Sequence, residues 1–165
     1  MPATYEPIAT TTLGTAATEV TFSSISGSYT DLVLVITQTA TTTNNHGIRF
    51  NNDTGFNYSM TSIYGTGSVA GSERKTTSGG GSVNYIFTNN GSTGAIATVL
   101  IHIMNYSNSS TYKSLLARWG RPDSGVQASV GLWQNTAAIN RIDYVAGAGN
   151  ISAGSTFTLY GIKAA

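Results

Sequence analysis

Apolar residues recur at every second position in short runs along most of this chain, and no stretch keeps a helical period for long. In Gly94–Asn105, Ala97, Val99, Ile101 and Ile103 share one side, while Thr98, Leu100, His102 and Met104 share the other. Side chains alternate across a strand, so this spacing specifies a strand with one face in a core. The second face, with Leu100 and Met104, is apolar enough to expect that it too is covered, a partner being one of the ways. Leu32-Val33-Leu34-Val35-Ile36, inside Tyr29–Thr39, predicts a strand covered on both sides at its centre. Tyr112–Gly120 sets Leu115, Ala117 and Trp119 against Leu116 and Arg118, and Val126–Gln134 carries Trp133. Ile139–Tyr144 and Gly154–Lys163 follow, with Ile142, Tyr144, Phe157 and Leu159 as framework. The last run stops so close to the chain end that it is expected inside a sheet, where it cannot fray.

The punctuation agrees with this. Asn51–Gly55 and Arg121–Gly125 have turn chemistry, and Asn89-Asn90-Gly91-Ser92 reads as a hairpin turn. Glu19–Phe22 and Asn57–Tyr64 are further short strands. Pro7 lacks an N–H, so Tyr5–Leu13 is an edge strand or an extended arm. Gly65–Ser82 reads as the longest irregular region, a solvated loop holding the cluster Glu73-Arg74-Lys75. About ten strands without helices predict an all-β, single-domain antiparallel β-sandwich of the jelly-roll type. Its expected parts are residues 1–13 as arm or edge strand and 14–165 as the sandwich.

Composition narrows the function. The chain has 165 residues, no cysteine and a net charge of +1, with 9% charged residues. No disulfide or thiolate metal site can form. The low charge provides little field for steering a partner, and no basic stripe marks a nucleic-acid surface. The most apolar run, Ala95–Met104, is too short to span a bilayer, and the N-terminus lacks the pattern of a secretory signal. The expected partners therefore include neither nucleic acid nor membrane.

No reaction centre is legible. His46 and His102 each lie in an alternating run, and neither has a nucleophile and an orienting group at readable spacing. The seven carboxylates are scattered through the chain. Asn51-x-Asp53-x-Gly55 faintly resembles a calcium loop but lacks the acidic density and closing Glu, so it reads as a turn bonded to its own backbone. Gly65-Thr66-Gly67 and Gly147-Ala148-Gly149 open no helix and read as turns. The Asn-x-Ser/Thr triplets are those expected in so Asn-, Ser- and Thr-rich a chain. The expectation is no catalytic, cofactor-binding or metal-binding residue, and no enzyme.

Three segments carry a resemblance: Ile48-Arg49-Phe50-Asn51-Asn52-Asp53-Thr54-Gly55-Phe56-Asn57-Tyr58-Ser59, Gly131-Leu132-Trp133, and Gly154–Lys163, preceded by Tyr29–Leu34. In these the chain resembles small bacteriophage virion structural proteins. The resemblance implies a β-sandwich in a virion, made in the host cytoplasm. The expected role is a capsid decoration (cement) protein on the outer shell, forming a homotrimer and clamping subunits of the major capsid protein. A gene-sized chain without a fibrous shaft favours that role over the alternative, a tail-fibre tip recognising a bacterial surface glycan. An enzyme degrading such a glycan is a third reading. Expected partner contacts are Tyr5, Glu6 and Ile8 on the arm, and Arg74, Lys75, Tyr106 and Arg121 on turns, because Arg and Tyr are common interface anchors.

Overall fold

The computed structural model describes residues 4–76 and 84–163. The chain is all-β, with twelve strands among the described residues. In order they are β1 (Tyr5–Thr12), β2 (Glu19–Phe22), β3 (Asp31–Gln38), β4 (Asn45–Phe50), β5 (Tyr58–Gly65) and β6 (Ala70–Lys75). The rest are β7 (Ile86–Asn90), β8 (Ala97–Met104), β9 (Lys113–Arg121), β10 (Gly125–Trp133), β11 (Ile142–Ala146) and β12 (Thr156–Ile162). No helix of the described residues is long and apolar enough to cross a membrane.

Two antiparallel sheets face each other. The larger runs β1-β12-β3-β8-β9-β10-β5-β6 and the smaller β2-β11-β4-β7. The quartets β1-β12-β3-β8 and β2-β11-β4-β7 are a jelly roll, with the chain passing from sheet to sheet at every connection except β5–β6, β8–β9 and β9–β10. Two hairpins, β5–β6 and β9–β10, extend the first quartet beyond β8. The larger sheet is thus twice as wide as the smaller.

The core follows the alternation. Ala97, Val99, Ile101 and Ile103 of β8 are fully buried, as are Leu32, Leu34 and Ile36 of β3 and Phe157 and Leu159 of β12. Ile142 and Tyr144 meet them from the smaller sheet, and Trp133 packs against Phe50 and Tyr58. Each large side chain so buried stabilises by about 1.5–3 kcal/mol relative to exposure. Gly47 is required where the Tyr85 ring crosses β4, because a Cβ there would lie 2.1 Å from that ring and 2.4 Å from the Ile86 carbonyl.

Tyrosine hydroxyls pin the connections between sheets. Tyr106 donates to the Ser26 carbonyl and accepts from the Tyr29 N–H, tying the β8–β9 loop to the β2–β3 loop. Tyr58 donates to the Asp53 carbonyl at 2.9 Å and accepts from the Phe50 N–H at 3.2 Å. The Asn51–Gly55 turn is closed as expected: Gly55 N–H donates to the Asp53 carboxylate at 2.9 Å, and Asn51 and Asn52 are left-handed.

Three expectations are corrected. The Gly65–Ser82 region contains strand β6, which carries Glu73-Arg74-Lys75; pairing with β5 satisfies a backbone whose residues have little strand preference. Residues 77–82 of that region lie outside the described residues. Asn89–Ser92 closes no hairpin, because β7 pairs with β4 and β8 with β3, in different sheets. The strand expected at Ile139–Tyr144 starts only at Ile142, since Asn140 and Arg141 N–H donate to the Asn51 side chain instead of a neighbouring strand. Of the two readings of the N-terminal segment, the structure shows the edge strand: it borders the larger sheet, with a bulge between Pro7 and Ala9, and is not a free arm. The last strand lies between β1 and β3, inside the sheet as expected.

Candidate functional site

The smaller sheet covers one face of the larger one. The opposite face has no cover within the described chain. Register fixes what it presents. Across neighbouring strands run Tyr160, Val33, His102, Leu116, Val130 and Thr61. The adjacent row is Thr158, Val35, Leu100, Arg118, Ala128 and Ile63. Val126, paired with Gly120 and Gly65, stands in a third. Ile63 is 66% exposed, Val126 63%, Val130 58% and Leu116 41%. A single exposed aliphatic residue needs no explanation, but several side by side on one sheet face do.

The face is dished. One open depression of about 830 Å³ lies over Ile63, Leu100, Arg118 and Val126. A second, of about 410 Å³, lies over Val33, Val35, Leu100, His102, Leu116 and Arg118, with Tyr5 and Tyr160 at its side. Arg118 and Leu100 border both. Arg118 is exposed and has no acidic partner among the described residues. At the β6 end of the face, Arg74 is exposed opposite Thr61. His102 is held by Asp31, Nε2 to Oδ2 at 2.8 Å, and the other Asp31 oxygen accepts the Asn105 N–H at 2.8 Å. That pair is half-exposed, at 34% and 22% for the two side chains.

The expected contact residues are divided by the structure. Tyr5 and Arg74 come to this face, at its opposite edges. Glu6 is engaged by Lys163 at 2.9 Å, and Ile8 packs against the core. Lys75, opposite the buried Met60, alternates away from the face. Two residues are corrected. Tyr106 is fully buried and its hydroxyl is used internally. Arg121 is buried as well: Nη1 donates to the Asn90 and Gly91 carbonyls at 2.8 and 2.9 Å, and Nε pairs with Asp123. Both were expected on exposed turns, but tertiary packing closes over them. Ile63, Leu116, Arg118, Val126 and Val130 were missed. Their signal was the second phase of each alternating run, the apolar residues left over after the core face is assigned.

The remaining polar groups serve the frame. Between the sheets, Gln38 Nε2 donates to the Tyr144 hydroxyl at 2.7 Å and Gln38 Oε1 meets His46 Nδ1 at 3.2 Å, while the Tyr144 hydroxyl donates to Asn89 Oδ1. Burial lowers the His46 pKa to about 4 and pushes the Tyr58 and Tyr144 phenols up. Burial also lowers Lys113, whose ammonium donates to the Thr111 and Thr136 carbonyls at 2.7 and 2.9 Å. Burial raises the Asp53 carboxyl, but hydrogen bonds from Asn57, Trp133 and the Gly55 N–H outweigh it and hold the pKa below the usual range. Among the described residues no group of three or more His, Asp or Glu side chains could hold a metal ion.

No protein-family profile matches the chain, and no curated protein matches it in sequence. Among solved structures, the chain is similar to exo-inulinase from Aspergillus awamori, with TM-score 0.49 and 10% identity over 96% of this chain and 29% of that one. It is similar to alginate lyase Aly36B, with TM-score 0.39 and 10% identity over 93% of this chain and 77% of that one. It is also similar to sucrose-6-phosphate hydrolase from Lactobacillus gasseri, with TM-score 0.37 and 13% identity over 90% of this chain and 28% of that one. The chain thus spans less than a third of either hydrolase.

Proposed function

We propose that this chain is a non-catalytic virion protein, a capsid decoration protein that docks on the outer shell and ties major capsid subunits together. The observation that carries the reading is the uncovered face of the larger sheet, where Ile63, Leu116, Val126 and Val130 stand exposed. A broad, shallow, aliphatic surface gains by being covered with another protein surface. Reaction chemistry instead needs acids, bases or nucleophiles gathered at one place. On this face the one histidine is already paired with Asp31. The resemblance of Ile48–Ser59, Gly131–Trp133 and Gly154–Lys163 to phage virion proteins supplies the setting.

The test is the number of copies in the virion that carries the chain, measured by quantitative mass spectrometry against the major capsid protein. Decoration predicts hundreds of copies, released when shells are stripped and rebound when purified protein is returned. A few to a few tens of copies, co-purifying with tails, would overturn this reading and favour the tail-fibre tip. The expected homotrimer is tested on the same samples by sedimentation, and a monomer both in solution and on the shell would overturn it.

A further inference from the structure

Resting on that reading, we infer that the partner brings a carboxylate to Arg118, between two groups of apolar side chains that fill the flanking depressions. Arg118 stands in the middle of the face, opposite Leu100 on one neighbouring strand and Ala128 on the other. The two depressions, about 830 and about 410 Å³, meet at it. Uncovered, its guanidinium is solvated. Any protein surface laid across the aliphatic residues strips that water away, and a buried charge left unpaired is strongly unfavourable. A wholly apolar partner is therefore rejected at the centre of the surface that attracts it. A carboxylate restores the pairing, and the planar guanidinium can hold it through two parallel hydrogen bonds.

The chain's own acids do not supply that group. Of its seven carboxylates, Glu6, Asp31, Asp123 and Asp143 are in ion pairs with Lys163, His102, Arg121 and Arg141. Asp53 accepts from Gly55, Asn57 and Trp133, and Glu73 accepts from Ser62 and Gln127. The seventh, Glu19, lies on β2 at the edge of the smaller sheet, paired in register with Val145. A second copy centred face to face on this one sets Arg118 against its own counterpart and brings no free carboxylate to it. The occupant is therefore a different polypeptide, whose surface carries an Asp or Glu flanked by apolar side chains. A phosphate backbone would satisfy Arg118 but not the aliphatic rows around it.

The decisive variant is Arg118→Leu, which makes the centre of the face apolar. The probe is stripped shells from the virion that carries the chain, titrated with purified protein and read by pelleting. Wild-type protein is expected to bind. Arg118→Leu and Arg118→Gln are expected to bind roughly 10- to 100-fold more weakly, because each leaves the partner's carboxylate buried without its cation. Arg118→Lys is expected between them and wild type, keeping the charge but losing the fork. Val130→Asp is expected to bind weakly as well. Melting temperatures of all variants should match wild type, since these side chains are exposed.

Arg118→Leu binding as well as or better than wild type overturns the inference and leaves the docking role standing. Val130→Asp binding normally shows that a different surface docks, and also overturns it. Failure of wild-type protein to bind shells overturns both this inference and the decoration role. Self-association of the free protein that strengthens in Arg118→Leu makes a second copy the occupant, and overturns the inference alone.

Discussion

His46 lies fully buried between the sheets, tied to Gln38, with burial lowering its pKa from 6.5 to about 4. The unfolded chain takes up a proton near pH 6.5 and the folded chain resists until about pH 4. Stability is therefore complete above the unfolded value and is lost as pH falls through that window, by about 3 kcal/mol in all. Urea unfolding at steps from pH 7.5 to 4 should show this slope, and His46→Gln should flatten it while keeping a hydrogen-bonding group opposite Gln38. An unchanged slope in the variant would assign the acid sensitivity to other residues. His46 was legible as structural, because it sits in an alternating run with no nucleophile nearby. Its partners were not, because Gln38, Tyr144 and Asn89 come from three other strands.

At the level of elements, β1 is the one whose role the fold changes most. As a free arm it could be removed at the cost of attachment alone. As the edge of the larger sheet, it pairs along the length of β12, and Thr10 and Thr12 meet Thr158 and Thr156 at 3.1 and 3.2 Å. Pro7 and the bulge beside it blunt the outer edge against further strand pairing. Deleting residues 1–13 would leave β12 as a long, straight edge. The expected result is a soluble fraction that elutes as oligomers or aggregates, with a melting temperature lowered by several degrees. A monomeric, fully stable deletion protein would restore the arm. The edge position was legible from Pro7, whereas strand β6 was not. Ala70–Lys75 has the composition of a loop and becomes a strand because β5 offers it an unpaired edge.

Over the whole molecule, the two sheets share one core, and no strand of the smaller sheet buries its apolar face without the larger. Trp133 is packed against Phe50 and Tyr58, bridging the sheets, and Trp119 lies near the end of β9. Unfolding should therefore be a single transition. Tryptophan fluorescence and far-ultraviolet circular dichroism should give coincident urea curves. Separated midpoints would mean that the β5–β6 and β9–β10 hairpins melt independently of the jelly roll.

Alternation and turn chemistry alone determined that this chain is a β-sandwich and which side chains of a strand share a face. These are local properties: a period of two specifies a strand, and Gly, Asn and Pro specify where it stops. For Trp119 and Trp133 they left core packing and an exposed contact both open, and the structure buries both. The widths of the two sheets, the assignment of β7 and β8 to different sheets and the burial of Tyr106 and Arg121 were decided by tertiary structure. Each depends on which distant strands pair, and alternation does not encode partners. The same holds for the candidate surface. The sequence marks Leu100, Leu116, Arg118, Val126 and Val130 as lying off the core face of their strands. Only the packing of the smaller sheet on the other face leaves that side uncovered, and only strand register brings Arg118 to its centre.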